Sequence, residues 1–105
     1  MSRRTIAARV KLRSTSEEGR TGSIQSGYRS LLRFEGSTSD FGFEVELGSV
    51  FGVSGLAPGT SGTVRITFWA AQELPALFDG QRFELREGAR VVGGGTVINP
   101  APVSQ

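Results

Sequence analysis

Between Asp79 and Ile98 the chain reads DGQRFELREGARVVGGGTVI, and this stretch restricts the fold more than any other. Phe83 and Leu85 alternate with Arg82, Glu84 and Arg86, Glu87-Gly88-Ala89 supplies turn chemistry, and Val91-Val92 to Val97-Ile98 bring the chain back. A period of two on both sides of a turn predicts a β-hairpin with one apolar face. A lone hairpin is marginal in water, so other strands must cover Phe83 and Leu85.

The rest of the chain supplies them. Residues 5–13 alternate Ile6, Ala8, Val10 and Leu12 against Ala7, Arg9, Lys11 and Arg13, which predicts a half-buried strand with a basic outer side. Residues 14–27 are rich in Ser, Thr and Gly and have no apolar period, so a long loop is expected there. Tyr28 to Phe34 resumes an extended pattern, with Tyr28, Leu32 and Phe34 expected inside. Phe41-Gly42-Phe43-Glu44-Val45-Glu46-Leu47 is the cleanest alternation, its phenylalanines, Val45 and Leu47 facing in and both glutamates facing solvent or a basic partner. Val50 to Val53 could add a short extended piece before the Pro58-Gly59 turn. Thr63 to Trp69 sets Val64, Ile66 and Phe68 against Arg65, Thr67 and Trp69. In Ala70–Phe78, Pro75 leaves room for no more than a helical turn, so an irregular connection is expected. Past Asn99-Pro100 the tail, 99–105, is expected to be loose, which makes 1–98 a single domain.

Six short strands with one apolar side each cannot lie as a flat, bare sheet; they must curl or stack. The economical solution is an all-β, six-stranded antiparallel closed barrel. Its interior would hold Ile6, Val10, Leu12, Phe34, Phe41, Phe43, Val45, Val64, Ile66, Phe68, Phe83, Leu85 and some of the late valines. A two-sheet sandwich satisfies the same pattern.

Composition bears on chemistry. With 105 residues, no cysteine and no histidine, thiol nucleophiles, disulfides and the commonest general base and metal ligand are all excluded. Gly93-Gly94-Gly95 lacks the Lys-Ser/Thr and the helix of a phosphate loop and runs on into a strand, so a bulge or barrel bend is expected there and no nucleotide or other cofactor. The chain therefore reads as a non-enzymatic binding module. No apolar run is long enough to span a bilayer, and a cytoplasmic location is expected. Residues 1–33 carry a formal charge of +6 and residues 34–105 carry −4, and all basic residues but Lys11 are arginine. Arginine's planar fork suits phosphate and carboxylate, so Arg9, Lys11, Arg13, Arg20 and Arg29 are candidates for a surface that meets RNA or an acidic protein. Trp69, placed on the outer face, is either covered by the 70–78 connection or free to stack on a base or anchor a protein.

Four elements, Glu17-Glu18-Gly19-Arg20, Ser26-Gly27-Tyr28-Arg29, Leu56-Ala57-Pro58-Gly59 and above all Arg86-Glu87-Gly88-Ala89-Arg90-Val91-Val92-Gly93-Gly94-Gly95, occur in one order at a spacing that resembles the third, C-terminal barrel domain of bacterial elongation factor Tu. The resemblance runs from about residue 6 to 98 and implies a six-stranded antiparallel barrel. In that family the barrel touches the T-stem backbone of aminoacyl-tRNA. The resemblance assigns Arg20 to the tRNA-contacting loop, where Thr21 replaces the family's histidine, and sets the turn at Gly88 and Ala89, beside Arg90, close to the RNA. Ser30 replaces the family's usual proline, and the connection between Gly59 and Gly80 is a few residues longer. The start at Met1 and the tail Asn99–Gln105 point to a free-standing paralogue. tRNA or another structured RNA is the first partner expected, and a protein of translation or of a toxin system the alternative.

Overall fold

The computed structural model describes residues 3–14, 22–47, 55–70 and 74–100. Arg20, the Glu17-Glu18 pair, the extended piece at 50–53, residues 71–73 of the 70–78 connection and the tail from 101 lie outside the described residues, and the described part of that connection, 70 and 74–78, carries no helix. Six strands follow one another: β1 (Arg4–Leu12), β2 (Arg29–Phe34), β3 (Phe41–Glu46), β4 (Ser61–Phe68), β5 (Arg82–Glu87) and β6 (Arg90–Ile98). They pair antiparallel in the ring β1-β4-β3-β2-β5-β6, and β6 returns to β1, so the expected closed barrel is the fold and the sandwich is not.

Alternation decides which side chains fill the ring. On β1 the residues Ile6, Ala8, Val10 and Leu12 are buried, while Arg9 and Lys11 point outward. Phe43, Val45, Val64, Ile66, Phe68, Phe83 and Leu85 complete the same interior. Phe34 lies at its centre, with ring centroids 6.0, 6.1 and 6.3 Å from those of Phe41, Phe68 and Phe83. Burying each such ring contributes about 1.5–3 kcal/mol against the entropy lost when the chain is ordered. Phe41, expected fully inside, is half-buried and packs against the core from its rim. Ile24 and Leu56, which no period marked, are buried members of the core and meet in an isolated antiparallel bridge.

The hairpin that organises the sequence is β5–β6. Gly88 has φ of 64° and Ala89 follows it, so glycine stands at the first of two turn positions between the paired residues Glu87 and Arg90. Only glycine takes that backbone without strain. The register then slips: Leu85 faces Gly93 but Arg86 faces Val91, leaving Val92 as the extra residue of a bulge. The bulge and the glycines after it bend β6 into the ring, as the sequence suggested. Gly95 is the tightest point, because a Cβ there would drive into the Arg9 carbonyl oxygen and come within 2.9 Å of Phe83 Cζ. Among the described residues no helix is long and apolar enough to cross a membrane.

Candidate nucleic-acid interface

Because the even-numbered residues of β1 face the core, Arg9, Lys11 and, just past the strand, Arg13 form one outward row. β6 lies beside that row, with Thr96 opposite Arg9 and Gly94 opposite Lys11. Beyond β6 comes β5, with Arg82 opposite Thr96 and Glu84 opposite Gly94. Gly94 has no side chain, so β6 is a low floor between two walls, and the result is a trough of about 610 Å³ lined by Arg9, Lys11, Arg13, Arg82, Glu84 and Thr96. A Cβ at Gly94 would lie 2.9 Å from the Phe83 carbonyl oxygen, so close strand packing itself keeps this floor bare.

The electrostatics of the trough are lopsided. Among the described residues Arg9 reaches only the Ser61 hydroxyl, at 3.5 Å, and Arg9, Lys11, Arg13 and Arg82 have no carboxylate within ion-pair distance. Glu84, the one carboxylate among the described residues that line the trough, is held by Arg86 Nη1 at 2.9 Å. Arg82 was not among the candidates read from sequence. Its alternation with Phe83 and Leu85 marks it as outward-facing, but only the ring order brings β5 near β1.

The hairpin turn stands past the Arg13 end of this wall, where the Arg13 amide donates to the Val92 carbonyl at 2.9 Å. It is braced from several sides. The Tyr28 hydroxyl donates to Glu87 Oε2 at 2.7 Å, Arg86 Nη2 donates to the Ala89 carbonyl at 3.3 Å, and Arg90 pairs with Glu87 at 3.4 Å. Gly88 and Ala89 are thus presented on a fixed tip, and Arg90 is already engaged.

Arg29 is not on the β1 wall. It opens β2, three strands round the ring in either direction, where it pairs with Glu44 at 3.1 Å. It also lies over Trp69 at 5.5 Å, and Arg3 lies over the same ring at 4.9 Å. Trp69 is half-buried beneath arginines, a cation–π arrangement, and is not an open stacking surface. Glu46, like Glu44, faces an arginine of its own sheet, Arg65, at 3.7 Å. Further round, Arg33 grips Asp40 through two bonds of 2.7 and 3.2 Å. That hydrogen bond, assisted by charge and opposed by desolvation, lowers the Asp40 pKa and raises that of Arg33. Among the described residues no three His, Cys, Asp or Glu side chains converge on a point. What the described residues assemble on the β1 wall is a patch of positive charge.

No family model matches the sequence. The chain is 39% identical over 94 residues to a protein named elongation factor Tu 2 from Streptomyces avermitilis; the match takes in 90% of this chain and 22% of that protein, so the chain spans about a fifth of the relative's length. Sequence match and closed six-stranded ring together fit a barrel domain of the elongation factor Tu type.

Proposed function

We propose that this barrel is a non-enzymatic, translation-related module, working in the cytoplasm, that holds structured RNA of the tRNA kind by its backbone phosphates. The observation that carries the reading is the row Arg9, Lys11 and Arg13, cations without carboxylate partners among the described residues, on one wall of the ring. Like-charged side chains left in a row repel one another, and a polyanion relieves that repulsion while releasing its own counterions. The likeness to an elongation factor supports the choice of RNA. The turn at Gly88, Ala89 and Arg90 would extend the footprint from one end of the wall, the resemblance adds Arg20 to the contacts, and Arg29 would meet only an RNA large enough to curve round the barrel.

The test is titration of unfractionated tRNA against the protein between 50 and 200 mM salt. Three to four phosphate contacts give a log–log slope of about −2 to −4, and replacing Arg9, Lys11 and Arg13 together by glutamine removes most of it. Absence of binding, or binding indifferent to salt, refutes the reading. One observation favours a protein partner as the alternative, drawn from translation or a toxin system: Phe78 is 59% exposed, on a turn braced by a 3.2 Å bond from its amide to Gln81 Oε1. A stoichiometric protein retained from nuclease-treated lysate and lost with Phe78→Ser would support that alternative.

A further inference from the structure

We infer that the trough over β6 is a track for a single phosphodiester strand, clasped between the β1 cations on one side and Arg82 of β5 on the other. This rests on the RNA-binding reading above and specifies which part of the RNA is held and where.

Width comes first. β1 and β5 are second neighbours across β6, which sets their axes about 10 Å apart. The only side chain on the floor between Arg9 and Arg82 is that of Thr96. Such a channel admits one sugar-phosphate chain. Length comes next. Same-face residues on a strand repeat every 6.7 Å or so, so the charges from Arg9 to Arg13 extend over about 13 Å. That is a line of charge suited to successive phosphates, and it is too long for one small anion.

The lining decides which way the strand faces. Among the described residues that line it, Phe83 is the one aromatic, and it is only 4% exposed, its ring turned into the core. With no open aromatic face among the described lining residues and a row of cations instead, the phosphates face the protein and the bases face away, without sequence preference. An extended acidic peptide has a similar charge repeat, but every strand of the ring is paired on both sides. A peptide would find no edge to extend by backbone hydrogen bonds and would be left with exposed ion pairs worth about 0–1 kcal/mol each. A phosphodiester strand carries its charge on the backbone and adds counterion release, so it is the occupant the surface favours.

The experiment measures binding by anisotropy with three probes, a short oligouridylate, a short RNA duplex and inorganic polyphosphate, across a salt series. Arg82→Gln is expected to reduce the salt slope by about 0.7 to 0.9, the share of one phosphate contact. Thr96→Glu, which sets a carboxylate on the floor, is expected to abolish binding, while Arg65→Gln, which removes the same charge from β4 outside the trough, leaves the slope as it is in the parent. Loss on either RNA probe supports the track, and the probe affected tells whether the strand is single or one edge of a duplex. If the parent binds RNA but Arg82→Gln and Thr96→Glu bind equally well, the track is refuted while RNA binding stands. If those variants alter polyphosphate binding alone, the occupant is not RNA and the inference is again refuted. No binding of any probe by the parent refutes the broader reading as well. Should Thr96→Glu fail to give the parent's circular dichroism, Arg82→Gln decides by itself.

Discussion

Gly95→Ala adds one methyl group and is predicted to be among the most damaging substitutions in the barrel. Gly95 faces inward on β6 between Val10 and Phe83, its partners on either side. A Cβ would enter the Arg9 carbonyl oxygen and lie 2.9 Å from Phe83 Cζ. The ring could swing, although Phe34 and its neighbours already hold it. The carbonyl cannot move without opening the β1–β6 ladder that closes the barrel. Overpacking costs about 1–3 kcal/mol, and a backbone obstacle places this site at the top of that range, about 3 kcal/mol. For a domain of this size that lowers Tm by about 12 °C or more. Gly42→Ala is the matched comparison. Gly42 is exposed on β3 with nothing within 4 Å of its missing Cβ. There the change should raise stability by about 0.5–1 kcal/mol, because the unfolded chain loses freedom and the fold loses nothing. Thermal melts followed by circular dichroism, with urea midpoints alongside, read both. If Gly95→Ala melts within two or so degrees of the parent, or if the two variants move together, close approach is not what fixes glycine in β6.

Two further outcomes follow from the ion pairs and hydrogen bonds. Tyr28→Phe removes a 2.7 Å bond to a carboxylate and is expected to cost about 1.5 kcal/mol, with faster amide exchange at Gly88, Ala89 and Arg90; unchanged exchange there would mean Tyr28 does not brace the turn. Asp40 has its pKa lowered chiefly by the Arg33 hydrogen bond, so the stability it confers is complete above the ordinary aspartate range near about 3.9 and is lost as pH falls through the lower folded value. Urea midpoints of the parent and Asp40→Asn should therefore differ at pH 7 and converge in acid, and a difference that persists unchanged to low pH would contradict the assignment.

Where alternation was regular, the sequence disclosed both strand and facing: Val10, Phe43, Phe83 and Leu85 lie inside as their period required. Ile24 and Leu56 escaped it because each enters the core as a single bridged residue, and one residue has no period. The candidate site was legible only in its local half. Arg9, Lys11 and Arg13 share a strand, so their common facing is a local property. Adjacency round a closed ring is not local, and charge counted along the chain grouped Arg29 with a wall it does not join and passed over Arg82, which flanks that wall from far along the sequence. Trp69 shows a related limit: alternation gave its side of the sheet, but the arginines that cover it come from β2 and from the residue preceding β1.

The first strand and the last are neighbours, and this has a consequence for synthesis on the ribosome. Leu12 waits for Gly93, roughly eighty residues later, which at ordinary elongation rates is about 4–16 s. Throughout that interval one flank of β1 has amides and carbonyls with no partner, the condition under which nascent chains adhere to one another. Arg9 and Lys11 are on that strand the whole time, and their mutual repulsion between copies discourages such adhesion. The residues proposed to hold RNA in the finished ring therefore also protect the unfinished chain before there is a ring to bind with.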